Sequence, residues 1–275
     1  MSKLYLDISH HHPVKNWDKL QKQCPFLITK ATEGQTFVDK YFPTVVNECE
    51  KRKIPYWLYV YLRRGNVKKQ IDFLMQTCEK LVGKYFVGYC LDIEEGNAPA
   101  EIETAVAYLE KKTARKCMFY SYYADYSKYA HIIQKLPSKW AFWEARYGLN
   151  DGKYREKHNC HSLADLHQYS SGVSISFMTG GIDINRLTGR KAESWFTTPK
   201  TVTNSSGAVK EVYFKKCNQN ETSIINGLKQ NGYNSTYKYR CKIAEVNGIK
   251  NYSGTANQNI AMLTKLKQGK LAKPL

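Results

Sequence analysis

Asp92, Glu94 and Glu95 stand at the end of the apolar run KYFVGYCL, within the stretch CLDIEEGN. The run is aromatic and β-branched without polar alternation, which predicts a strand buried on both faces. Side chains alternate along a strand, so Asp92 and Glu94 are expected on one face and Glu95 on the other. Two neighbouring carboxyls shift each other's proton affinity, as acid-assisted cleavage of a polar bond requires. The competing explanation is a helix start, because GNAPAEIETAVAYLEKK follows and acidic residues favour helix N-termini.

Other acids fall at similar places. KLYLDIS puts Asp7 at the end of the first predicted strand, LITKATEG puts Glu33 just beyond the second, and GGIDIN puts Asp183 on the last. In barrels of parallel strands the C-terminal ends form the active face. Helix capping accounts for one or two such acids, whereas separate segments delivering carboxylates to one rim point to catalysis. Tyr59 and Tyr61 in WLYVYL, Tyr120 in MFYSYY, Trp143 and Tyr147 in FWEARYG and Tyr169 in HQYSSG lie near further strand ends. Flat rings suit a carbohydrate groove; the alternative for any one of them is core packing with a polar tip at the edge.

The elements that must position these groups alternate. Strands are predicted near Lys3 to Leu6, Phe26 to Thr29, Ile54 to Tyr61, Tyr85 to Leu91, Cys117 to Tyr120, Trp140 to Trp143, Ala164 to Tyr169 and Gly181 to Ile184. Helices are predicted near Asn16 to Gln23, Tyr41 to Lys51, Val67 to Leu81, Ala100 to Thr113 and Tyr123 to Ile133. Up to about residue 135 this is the pattern of βα units on a parallel sheet, and afterwards strands follow with little helix. An α/β barrel with a β-rich last part is expected over residues 1–195. FTTPKTVTNSSGAVK has linker composition, giving a linker over 196–210, and three short helices are expected in a separate module over 211–275.

Forty-two Lys and Arg against 24 Asp and Glu give a formal charge of +18, of which +9 falls on residues 201–275. A polyanionic partner is implied: nucleic acid, an anionic membrane or an acidic wall polymer. Zinc-ligand spacing, a glycine-rich phosphate loop and an aromatic RNA platform are missing, so nucleic acid is not expected. No stretch reaches the roughly 18 apolar residues of a membrane span, and MSKLYLDISHHH has no apolar signal core. The eight cysteines are widely spaced, and Cys90 and Cys117 sit in apolar segments, so reduced buried thiols are expected. Consecutive His10, His11 and His12 cannot all face one ion, which favours a polar loop beside Asp7 over a metal site.

The series DISHH, ITKATEG, TFVDKYF, CLDIEE, FWEARYG, HQYSSG and GIDIN, in this order over residues 3–190, resembles glycoside hydrolase family 25. These are muramidases that cleave the β-1,4 bond between N-acetylmuramic acid and N-acetylglucosamine in peptidoglycan. The resemblance implies a flattened TIM-like (β/α)5β3 barrel and no cofactor. It matches Glu94 to the proton donor, Asp92 to its partner, and Asp7 and Asp183 to two further rim aspartates. Glu33, Tyr59, Tyr61, Tyr120, Trp143, Tyr147 and Gln168 are the expected substrate-binding residues. Two departures stand out: Tyr59-Val60-Tyr61 replaces Tyr-His-Phe, and Glu144-Ala145 replaces Ile-Ala, placing a further acid near the groove. Retention with help from the substrate's own acetamido group is the implied mechanism.

The tail's IAEVNGI and KLKQGKL resemble wall-binding modules of phage lysins. Together these features resemble a phage endolysin, made in the cytoplasm without a signal peptide and released to the cell wall through a separate membrane pore. Peptidoglycan is the expected partner, with anionic wall polymers held by the basic module. A binding protein that has lost turnover is the alternative function.

Overall fold

Strongly β-forming segments without polar alternation need both faces covered. In the computed structural model, which describes residues 3–199 and 213–274, closure into a barrel covers them. Two units divide the chain, Met1–Val202 and Thr203–Leu275. The first runs β1 (Tyr5–Ile8), α1 (Trp17–Gln23), β2 (Leu27–Glu33), β3 (Phe37–Val38), α2 (Phe42–Arg52), β4 (Tyr56–Tyr61) and α3 (Val67–Cys78). It continues with β5 (Phe86–Ile93), α4 (Pro99–Lys112), β6 (Lys116–Tyr122), α5 (Tyr126–Ile133), β7 (Trp140–Ala145), β8 (Leu166–Val173), β9 (Ile182–Leu187) and α6 (Glu193–Thr197).

Strands β1, β2, β4, β5, β6, β7 and β8 pair in parallel in that order. Strand β9 closes the ring antiparallel to both β8 and β1. The short β3 is an exposed appendage on β2. Five βα units followed by three strands make the expected (β/α)5β3 architecture. Every residue of β5 is buried, as the unbroken apolar run predicts. Gly88 is demanded there by close packing, since a Cβ would stand 1.9 Å from the Lys116 carbonyl oxygen on β6.

Helix starts follow local chemistry. Asn16 and Asn66 accept from the backbone N–H groups of Lys19 and Lys69, at 2.9 and 3.1 Å. Pro99 opens α4, and the Glu101 carboxylate accepts from the Ala98 N–H at 3.1 Å. All eight cysteines are free thiols, six of them buried. No helix among the described residues is long and apolar enough to cross a membrane.

The expected linker start at residue 196 meets a different finding. Phe196 is fully buried, stacked 5.3 Å from Phe26, and its carbonyl accepts from Trp57 Nε1 at 2.9 Å. Trp195 stacks 5.5 Å from Trp57, and Lys116 donates to the carbonyls of Trp195 and Thr198. Helix α6 thus packs with residues at the N-terminal ends of the strands, so the barrel's packing continues past residue 195. Residues 200–210 of the expected linker lie outside the described residues.

The second unit holds α7 (Ile224–Lys229), α8 (Tyr237–Val246) and α9 (Ala256–Gln268) around a small core that includes Leu228, Ile243, Met262 and Leu266. A bridge joins Tyr213 to Ala272. Thr255 and Gln258 form a capping box on α9, which ends on Gly269 at φ 71°.

Phe196→Ala is expected to cost about 3–5 kcal/mol, the usual effect of emptying a buried aromatic site. A lowered chemical-denaturation midpoint with an unchanged denaturant slope would register it.

Candidate active site

Strand register brings the inward-facing residues into tiers. Asp92 of β5 pairs with Tyr120 of β6, which pairs with Trp143 of β7. Gln168 of β8 pairs with Asn185 of β9, and Asp183 pairs with Asp7 of β1. Because β9 runs antiparallel, its beginning lies at the rim where the other strands end, and Asp183 arrives there early in its strand. A cavity of about 240 Å3 opens at this rim. Its lining is Asp7, Tyr59, Asp92, Glu94, Tyr120, Tyr122, Trp143, Tyr147, Gln168 and Asp183. All four predicted catalytic acids and five of the seven predicted binding residues therefore share one cavity.

Asp7 is the most tightly held acid. Gln168 Nε2 donates to its two oxygens at 3.0 and 2.9 Å, and Asn185 Nδ2 donates to Oδ2 at 2.7 Å. The orientations of both amides are fixed from behind. Gln168 Oε1 accepts from Tyr120 at 2.9 Å and Tyr147 at 2.7 Å, while Asn185 Oδ1 accepts from Trp143 Nε1 at 2.7 Å. Burial pushes Asp7 up to about 6 although these donors pull it down. Asp183 is pushed up to about 8, first by burial and then by the charge of, and a hydrogen bond to, Asp7. One proton shared between them fits three N–H donors on Asp7, with Asp183 donating the fourth bond.

Asp92 and Glu94 form the second pair. Asp92 is held well above the usual carboxylate range, mainly by burial and then by the Glu94 charge and a hydrogen bond to it. Tyr122 donates to Glu94 Oε2 at 2.7 Å. Tyr122 was not among the predicted residues, nor was Asn185; each lies two positions from a predicted residue on the same strand, which is the signal that would have found them. Asp92 Oδ1 is buried without a hydrogen-bond partner among the described residues.

Two predicted binding residues lie elsewhere. Glu33 accepts from Arg63 Nε at 3.0 Å and from Lys30, and Arg63 also binds Glu95. The Tyr61 ring lies between the Lys30 and Arg63 cations, at 4.9 and 4.8 Å, and its hydroxyl donates to Glu95 at 3.1 Å. Glu33 and Tyr61 are thus engaged with Lys30, Arg63 and Glu95 and are not among the residues that line the cavity. Glu144 is a further correction: it is fully buried away from the groove, accepting from the His161 N–H at 2.6 Å, with His161 Nδ1 at 2.8 Å. Tyr169 packs edge-on against His167 and Tyr154 instead. His10 pairs with the buried Asp39 at 2.7 Å. Among the described residues, no group of three or more His, Cys, Asp or Glu is arranged to hold a metal ion.

The buried acid pairs make stability depend on pH with a definite sign. Asp183 is raised in the folded chain from 3.8 to about 8, so the folded state binds more protons across that window. The stabilisation is complete below about 3.8 and is lost as pH rises through 8. Thermal melts should show Tm falling across this range, with Asp183→Asn flattening the slope and raising Tm at alkaline pH by about 2–4 °C or more. A profile equally steep in the variant would contradict this account.

The family model for glycosyl hydrolases family 25 matches residues 6–177. The catalytic domain of endolysin ply40 from bacteriophage P40 of Listeria monocytogenes is 26% identical with a TM-score of 0.60, covering 69% of this chain and 94% of that one. A glycosyl hydrolase 25 of Streptococcus pneumoniae, GHIP, is 22% identical with a TM-score of 0.62 over 72% and 94% of the two chains. The bacterial lysozyme of Streptomyces coelicolor is 19% identical with a TM-score of 0.56, over 72% and 98%. An L-alanyl-D-glutamate peptidase of Listeria phage A118 is 45% identical over 53 residues, and this match spans only 19% of either protein. With the family model covering most of the barrel that carries the four acids, the chain belongs to glycosyl hydrolases family 25.

Proposed function

We propose that this chain is a peptidoglycan hydrolase, an N-acetylmuramidase that cleaves the β-1,4 bond between N-acetylmuramic acid and N-acetylglucosamine with retention. The observation that carries the reading is Asp92 Oδ1, buried beside Glu94 in the cavity and without a hydrogen-bond partner among the described residues. Such an acceptor is costly unless a ligand supplies the donor. The N–H of a 2-acetamido group is a donor of the right kind.

Asp92 and Glu94 line the cavity together, close enough for the Glu94 charge to help raise Asp92. A nucleophile and acid on opposite sides of a glycosidic bond stand about 5–5.5 Å apart, and an inverting pair about 6.5–9.5 Å. Two adjacent carboxyls at the end of one strand do not flank a bond from opposite sides, which favours substrate assistance. Before substrate binds, the pair holds a proton that burial keeps on Asp92. Donation from the acetamido N–H lowers the proton affinity of Asp92, and the proton passes to Glu94. Glu94 then protonates the leaving oxygen as the acetamido carbonyl oxygen attacks the anomeric carbon, and Asp92 steadies the cationic ring formed. Glu94 next removes a proton from the incoming water, which restores the acetamide and gives net retention. Tyr122 holds Glu94 in line throughout.

The setting is that of a phage endolysin acting on the cell wall after release through a membrane pore. The likeness to the catalytic domain of the endolysin ply40 supports it. The second unit is read as a wall-binding module. Its +9 charge suits anionic wall polymers.

Glu94→Gln should lower turnover by about 10²–10⁴-fold, the span of general acid catalysis, while substrate binding persists. Fragments released from Gram-positive walls, marked with borohydride and read by mass spectrometry, should carry new reducing-end muramic acid with the wild type only. Reducing-end glucosamine or freed peptides would contradict the bond assignment, and no release from any wall would favour a binding protein. Deleting residues 201–275 should weaken sedimentation with walls, more so at low salt. Unchanged retention would remove the wall-binding role.

A further inference from the structure

The second unit contains a cavity of about 330 Å3, larger than the 240 Å3 of the acid-lined one. One wall is α8, where Tyr237, Cys241 and Glu245 recur every four residues and so share a face; the latter two line the cavity. The other wall is the segment from Gly248 to Tyr252 that follows. The Tyr252 ring is fixed from behind: its hydroxyl accepts from Arg240 Nε at 3.0 Å and donates to Asn259 at 2.5 Å, and Tyr237 stacks on it at 5.9 Å.

The rim bears three polar side chains, Glu245, Lys250 and Asn251, none with a hydrogen bond or ion pair among the described residues. Glu245 stands in the last turn of α8, where the helix dipole disfavours a carboxylate. An unpaired acid kept at that end, above a cavity with a braced aromatic wall, has no stabilising role within the unit.

We propose that this cavity binds a neutral pyranose unit, a hexose or N-acetylhexosamine of a wall polymer. The inference deepens, and rests on, the reading of the second unit as a wall binder. A pyranose has an apolar C–H face and an equatorial ring of hydroxyls. Tyr252 and Ile249 offer the apolar wall, Glu245 an acceptor, and Lys250 and Asn251 donors. One carboxylate and one ammonium leave the rim locally neutral, and Glu245 would repel a phosphate placed there. The unit's basic excess then supplies attraction to the wall at long range, while the cavity selects the sugar.

The test uses the full chain carrying Glu94→Gln, followed by amide NMR, with N-acetylglucosamine, glucose and glycerol 3-phosphate as probes. At least one sugar should shift the amides of residues 248–252 saturably. Glu245→Ala, which removes no contact within the fold, should weaken that binding about tenfold. Sugars that leave these amides unmoved, an equal response in the variant, or a response to glycerol 3-phosphate alone would each overturn the site. Sedimentation with walls is measured on the same protein. Retention on walls without a sugar response overturns the cavity but not the module; a sugar response without retention upholds the cavity and removes the wall-binding reading.

Discussion

The Asp7 carboxylate and the three hydrogen bonds it accepts from two side-chain amides are the interaction on which the acid-lined rim depends. A closed barrel ending in an antiparallel strand has a seam where β8, β9 and β1 meet, and one tier of that seam is polar rather than apolar. Gln168 and Asn185 satisfy Asp7, and the rings of Tyr120, Tyr147 and Trp143 orient the two amides in turn. Such a network is worth having only when complete, because a half-satisfied buried acid costs more than an apolar residue. Asp183 completes it by keeping a proton. The same burial raises Asp92, and the floor of the cavity holds two acid pairs that need not carry four charges at once.

Much of this was legible in the residues. All eight barrel strands and five helices follow from unbroken apolar runs and helix stop signals, and the antiparallel appendage β3 escaped because two exposed residues leave no pattern. Asp7, Asp92 and Glu94 were legible because they sit at the end of apolar runs, where a charge is costly and needs a reason, and Asp183 because it interrupts the apolar positions of the last strand. What the sequence could not reveal was pairing across space. Glu33 has the placement of a groove residue, yet Lys30 and Arg63 capture it. Glu144 follows Trp143 directly, but alternation turns it outward to His161, 17 residues ahead. Tyr122 and Asn185 were hidden for the opposite reason: a tyrosine and an asparagine are ordinary in strands until their partners are known.

The two units divide the labour of holding polar groups differently. In the barrel the amides that hold Asp7 are themselves held by Tyr120, Tyr147 and Trp143, which rigidifies that acid in advance. In the helical unit the aromatic wall is braced while the rim groups stand unpaired, as suits a surface that borrows its partners from a ligand. Rigid support beneath an unfinished rim keeps the ordering cost of binding low.

Phe196 marks where this barrel can be cut. Composition places the boundary at residue 195, but the stack on Phe26, the Trp57 bond and the Lys116 bonds to Trp195 and Thr198 all lie at or beyond that point. Exchange of tails between lytic enzymes, by recombination or by engineering, is then constrained by packing rather than by the linker's appearance. A junction at residue 195 would discard a piece of the barrel's interior along with the tail. A junction beyond Thr198 passes the barrel on intact to whatever module follows.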